Sequence, residues 1–211
     1  MLRFRICYNK DTPLQYIGNL DLHKVWERYL RRARIPVAYT QGFHPQPKIQ
    51  QAAPLPLGFL SQNDLIDVWL DTENWTEDDF LNHLKFTQQP GIEILSVTAI
   101  PLNSASLPTL ILSSTYRVIH LDPVDTAEIQ NHLKEMLARS SIIRTRRNKT
   151  YDLRPLIEKI EVIPLSSNCI EFQMQLSARE GATGRPDEVL AELGLDPYAA
   201  RYIRTGFIMK E

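Results

Sequence analysis

Apolar and polar positions along the first residues alternate strictly: Leu2, Phe4, Ile6 and Tyr8 point one way, Arg3, Arg5 and Cys7 the other. That period predicts a half-buried strand. From residue 20 the period lengthens, with Leu22, Val25, Trp26, Tyr29, Leu30 and Ala33 on one stripe at helical spacing and Pro36 as the stop. Strands are expected at 48–53, 65–71 and 92–100. A helix lies between the last two, opened by Thr76 with Asp79 three residues on and closed before Pro90-Gly91. The first half thus reads β-α-β-β-α-β. A stretch with two Pro, two Ser and an Asn at 101–109 reads as a linker.

The second half repeats that order. Strands are expected at 116–121, 160–163, 170–176 and 202–209, with a short strand or arm at 142–146. Helices start at Asp125 and Pro186, the latter ended by Gly194. The expected fold class is α+β, with tandem ferredoxin-like (βαββαβ) units over 1–103 and 104–211. A single larger α+β sheet is the alternative. The expected core includes Leu22, Val25, Trp26, Leu30, Phe80, Leu84, Ile129, Leu133, Met136, Val189 and Leu193.

Composition narrows the function classes. The 211 residues are 43% hydrophobic and 23% charged, which fits a folded globular chain. No stretch approaches the roughly 20 apolar residues of a membrane helix, and the N-terminus has no signal-peptide core, so a cytoplasmic protein is expected. Cys7 and Cys169 are too few for a Cys₄ site and are expected to stay reduced. The chain has no dinucleotide fingerprint, P-loop, H-E-x-x-H or G-x-S-x-G, and no close Cys/His grouping, so neither cofactor nor metal is expected.

Charge is balanced overall, at −1, but unevenly spread. No acid falls between Arg28 and Lys48. On the first helix Lys24, Arg28, Arg31 and Arg32 make a basic stripe suited to phosphate. The alternative is a solvated face with Glu27 pairing Arg31. The loop that follows carries Tyr39, Phe43, His44 and Lys48, aromatics beside basic groups as single-stranded RNA contacts require. It could equally be a stiff Pro-rich loop with Phe43 in the core. Arg144, Arg146, Arg147, Lys149 and Arg154 form a second basic patch, read either as a phosphate-binding surface or as a solvated hairpin. His44 could act as a general acid/base, or be a packing or surface histidine.

Leu20 to Leu22, Arg31 to Ala33, Ile35 to Lys48, Ala53 to Gly58, Asp152 to Ile157, Thr183 to Pro186 and Arg204 to Gly206 together resemble the bacterial radical SAM-linked protein family. That family is a domain of unknown function, found alone or associated with a B12-binding-type radical SAM protein. Gln46 stands where the family more often has Arg. The resemblance implies a radical SAM partner and supplies no catalytic residues. The chain lacks the cluster cysteines of the radical enzyme itself. A looser, fold-level likeness is to CRISPR RNA-processing proteins of the RAMP type, whose glycine-rich loop is reduced here to Gly181-Ala182-Thr183-Gly184. The leading expectation is a non-catalytic RNA-binding accessory module that presents RNA, tRNA or ribosomal, to a radical SAM partner enzyme. The rivals are a metal-independent endoribonuclease using His44 and a protein–protein adaptor without RNA.

Overall fold

The computed structural model describes residues 1–146, 148–165 and 169–210. The chain divides into two compact units, Met1–Ile111 and Leu112–Glu211. Each is a mixed α+β unit built on antiparallel strands.

The first unit runs β1 (Leu2–Lys10), α1 (Asn19–Arg32), β2 (Ile49–Gln51), β3 (Leu60–Leu70), α2 (Glu77–Thr87), β4 (Ile92–Ala99) and a helical turn, α3 (Leu107–Leu110). β1 is central, antiparallel to both β3 and β4, and β2 pairs antiparallel with β3, which gives the order β4-β1-β3-β2. β3 starts earlier than its alternation suggests. A bulge near Tyr8 and Lys10 lets Ser61 pair with Lys10, and Asn63 takes a left-handed φ of 52°.

One core explains why α1 and α2 lie on the same face of this sheet. Phe4, Ile6 and Tyr8 of β1 pack with Leu22, Trp26, Tyr29 and Leu30 of α1 and with Phe80 and Leu84 of α2. The rings of Tyr8 and Trp26 meet edge to face at 4.8 Å. The buried Tyr29 hydroxyl donates to the Leu84 carbonyl at 2.8 Å, and burial raises its pKa to about 12 against the opposing pull of Arg32. That bond ties the two helices together. Asp21 in the first turn of α1 and Arg31 and Arg32 in the last match the helix dipole. The helix ends in a Schellman arrangement: Ile35 N–H donates to Leu30 O at 3.1 Å and Arg34 N–H to Arg31 O at 3.1 Å. Arg34 holds the left-handed position at φ 55°, where glycine is usual. α2 opens with the expected capping box between Thr76 and Asp79.

The second unit runs β5 (Ile111–His120), α4 (Thr126–Ala138), β6 (Ile143–Arg146), β7 (Lys149–Asp152), β8 (Ile157–Pro164), β9 (Ile170–Arg179), β10 (Ala182–Thr183), α5 (Pro186–Glu192) and β11 (Ala200–Met209). β5 lies between β9 and β11, β8 pairs with β9, and β10 extends that edge by two residues. β6 and β7 form a separate two-stranded ribbon. β7 is absent from the sequence expectation because Lys149-Thr150-Tyr151-Asp152 has no apolar alternation. Ile170, Phe172, Met174 and Leu176 are buried as expected, while Glu171, Gln173 and Gln175 alternate with them. All of the expected core is buried except Val25, which is half-buried.

Candidate nucleic-acid interface

In the first unit, Lys24, Arg28 and Arg31 lie exposed at i, i+4 and i+7 on α1. None makes a side-chain hydrogen bond or ion pair among the described residues. Glu27 pairs with His23 at 3.4 Å, not with Arg31. Arg32 turns toward the end of α2, where it donates to Gln88 O at 3.3 Å and Gln89 Oε1 at 2.6 Å. Both partners are neutral, so its charge is not cancelled.

The loop after α1 is a small hairpin pinned to β3. Ala38 N–H donates to Trp69 O at 2.7 Å, Lys48 N–H to Ala38 O at 2.7 Å, and Trp69 N–H to Lys48 O at 3.1 Å. Thr40 N–H donates to Gln46 O at 2.8 Å, and Gln46 N–H to Thr40 Oγ1 at 3.0 Å. The tip turns through Gly42 at φ 140°. Phe43 there is fully exposed, at 102%, so it is not a core residue. Tyr39 and His44 are exposed beside it in sequence, and His44 has no hydrogen-bond or ion-pair partner among the described residues. Lys48 is held instead: its ammonium lies 4.9 Å from the centre of the Trp69 ring, which Arg3 also approaches, at 4.7 Å.

A concavity of this unit lies between the end of α1 and the outer side of α2. Arg32, Arg34, Asn82, His83 and Phe86 line it. Phe86 is 94% exposed. Sequence reasoning passed over Asn82 and Phe86. The readable signal was phase: Phe80 and Leu84 share α2's buried side, and Phe86 falls off that stripe.

In the second unit the expected patch divides. Arg144 donates through Nε to Glu188 and through Nη1 to Glu192, each at 3.1 Å. Burial works against its charge, but these two carboxylates outweigh burial and raise its pKa. Arg146 lies 3.9 Å from Glu188. Arg154 is spent on backbone carbonyls, donating to Leu137 O at 3.1 Å and Ile157 O at 3.3 Å. Lys149 is exposed and carries no such partner among the described residues. Arg147 lies outside the described residues. Arg144 and Arg154 thus already have protein partners, which corrects the expectation of a patch with no acid nearby. The run has no acid of its own, but folding brings it the carboxylates of α5. Asp152 fixes the root of the ribbon by accepting from Ile142 N–H at 2.7 Å and Arg154 N–H at 3.0 Å. Those bonds, the Ile142 one foremost, hold its carboxyl below the usual range.

The family model described as "Uncharacterized protein conserved in bacteria (DUF2344)" matches residues 3–186. The chain belongs to the DUF2344 family. The matched range takes in α1, the hairpin and the basic ribbon, while Glu188 and Glu192 fall beyond it. Among solved structures, this DUF2344 chain is similar to a chain of a Cbf5-Nop10-Gar1 complex. The TM-score is 0.55 at 12% identity, over 97% of this chain and 48% of that one. It is also similar to a chain of an H/ACA RNP bound to a substrate RNA containing 2'-deoxyuridine, with a TM-score of 0.46 at 13% identity, over 94% and 46%. The chain thus spans about half the length of these two solved chains. At this identity the first likeness is one of fold. No curated protein matches the chain. Among the described residues, no helix is long and apolar enough to cross a membrane, and no three His, Cys, Asp or Glu side chains gather as a metal site.

Proposed function

We propose that this DUF2344 protein is an RNA-binding accessory module without chemistry of its own, which presents RNA to a radical SAM partner. One observation carries the RNA reading: Lys24, Arg28 and Arg31 stand exposed on one side of α1 and make no ion pair among the described residues. Cations left unpaired on a rigid helix suit phosphates. Tyr39 and the fully exposed Phe43 supply rings for stacking on bases. On the second unit's ribbon, Lys149 is exposed and free of a side-chain partner among the described residues, whereas Arg146 is half-exposed beside Glu188. Each unit is read as ferredoxin-like, a reading supported by the order β4-β1-β3-β2 in the first and β11-β5-β9-β8 in the second. The radical SAM partner and the cytoplasmic setting rest on the sequence reading alone. The test is filter binding of total cellular RNA across salt concentrations. Affinity is expected to fall steeply with salt, since each phosphate contact releases counterions. Flat, weak binding at all salt concentrations overturns the RNA reading.

That second outcome would favour the protein–protein adaptor, which has its own support. Tyr16, Leu20 and Leu57 are large apolar side chains exposed in the same unit, and a Cβ on Gly58 would touch the Tyr16 ring. His44 is assigned to binding, because no neighbouring group orients its ring or shares a proton with it among the described residues.

A further inference from the structure

We infer that the groove between the end of α1 and the outer side of α2 takes one unpaired RNA nucleotide, its base on Phe86 and its phosphate on Arg34 and Arg32. This rests on the RNA-binding reading and extends it to a site that joins Arg32, already expected to bind, to Arg34, Asn82 and Phe86, which were not.

Four observations converge there. First, the side chains that line the groove include two arginines and no acid. Arg32 is oriented by neutral oxygens of Gln88 and Gln89, so it keeps its full charge. Second, Arg34 stands where a glycine would serve the chain better. A left-handed residue that ends a helix is usually Gly, because a Cβ is strained at that φ. A long cation in that position is placed at the groove's rim at a cost in conformational energy. Third, Phe86 exposes nearly its whole ring beside those cations. Asn82 lies one turn before it on α2, so both line the same wall. An amide offers donors and an acceptor for a base edge, and an aromatic ring offers the stacking face that any base accepts. Fourth, the walls are fixed. His83 Nδ1 lies 2.9 Å from the Ala33 carbonyl, which can only accept, so Nδ1 carries the proton of that bond. The same ring packs against Trp75, tilted by 42° with the ring centres 4.7 Å apart, and the Tyr29 hydroxyl donates to the Leu84 carbonyl. A groove whose walls are already bonded loses little freedom when it is filled.

An open groove of this kind suits a splayed-out base, which a duplex does not offer. The test uses the full-length chain with two fluorescent probes, a mixed-sequence single-stranded 12-nucleotide RNA and the duplex of the same sequence. Anisotropy gives Kd for the wild type, Phe86→Ala and Arg34→Gly, and thermal melting checks that each is folded. Phe86→Ala is expected to weaken single-strand binding roughly ten-fold, the usual scale for one stacked base, and to leave duplex binding within two-fold. Arg34→Gly is expected to weaken single-strand binding while its melting temperature holds or rises, a pairing that damage to the fold would not produce. If the wild type binds the single strand and both variants keep Kd within two-fold, the groove is not a nucleotide site while the RNA reading stands. If the wild type binds neither probe, the RNA reading fails and this inference fails with it.

Discussion

On α1, Lys24, Arg28 and Arg31 face solvent and make no ion pair among the described residues, and the nearest glutamate in sequence, Glu27, lies 3.4 Å from His23 instead. On the β6–β7 ribbon, Arg144 is gripped by Glu188 and Glu192, and Arg146 lies close to Glu188. As sequences both runs are rich in cations, the α1 run interrupted by Glu27 and the run from Arg144 to Lys149 by no acid at all. In three dimensions one is open to an anion and the other is partly satisfied by a helix that arrives some forty residues later. A charge run therefore reports a binding surface only after the fold has had its chance to neutralise it. An unpaired cation on a rigid helix is available to a phosphate, whereas a cation bonded to two carboxylates must first lose them.

The comparison can be pressed hardest on α1. Replacing Lys24, Arg28 and Arg31 together with Ala is expected to lower the salt slope of RNA binding by roughly two, at about 0.7 per single-strand phosphate contact. The melting temperature should barely move, because these are exposed substitutions. Titrating the triple variant across salt checks both. The reverse manipulation applies to the ribbon. Glu188→Gln with Glu192→Gln should release Arg144 and Arg146, so RNA affinity and its salt slope both rise, by about one unit at most for each freed cation. An unchanged slope would mean that the ribbon's cations are not in the RNA path at all.

Arg144→Ala separates stability from binding. It should destabilise the chain by about 1 kcal/mol, the scale of a partly exposed ion pair, and leave RNA affinity unchanged. Urea denaturation measures the first and anisotropy the second. The smallest effect concerns Asp79, whose carboxylate accepts from Thr76 N–H at 2.9 Å and from Thr76 Oγ1 at 2.7 Å at the start of α2. The Thr76 backbone bond, above all, holds its pKa below the usual carboxylate range. Its contribution is complete above the unfolded value, about 3.9, and is lost as pH falls through the lower folded value. Asp79→Asn should therefore melt lower than wild type near neutrality, and the two should converge in acid.

Much of the element order was legible because periodicity is a local signal. β1, α1, α2, α4 and β9 follow from spacing alone. What was not legible depended on distant partners. β7 carries no alternation and pairs only because β6 lies beside it. The carboxylates that hold Arg144 come from α5. Phe43 read equally well as a core ring or an exposed one, and it is the hairpin's backbone bonds to β3 that hold its tip outside the core. Phe86 and Asn82 were within reach of the sequence, since Phe86 is out of phase with α2's buried stripe. Arg34 was visible as a cation, but its left-handed position was not.

The most direct test sets the two units against each other in one assay. The single-stranded 12-nucleotide RNA is titrated, across salt, into wild type, the Lys24/Arg28/Arg31→Ala variant and an Arg144→Ala variant. The α1 variant is predicted to lose affinity and salt slope together, while Arg144→Ala keeps the wild-type curve at every salt concentration. A wild-type curve for the α1 variant, with affinity lost instead in Arg144→Ala, would contradict the account.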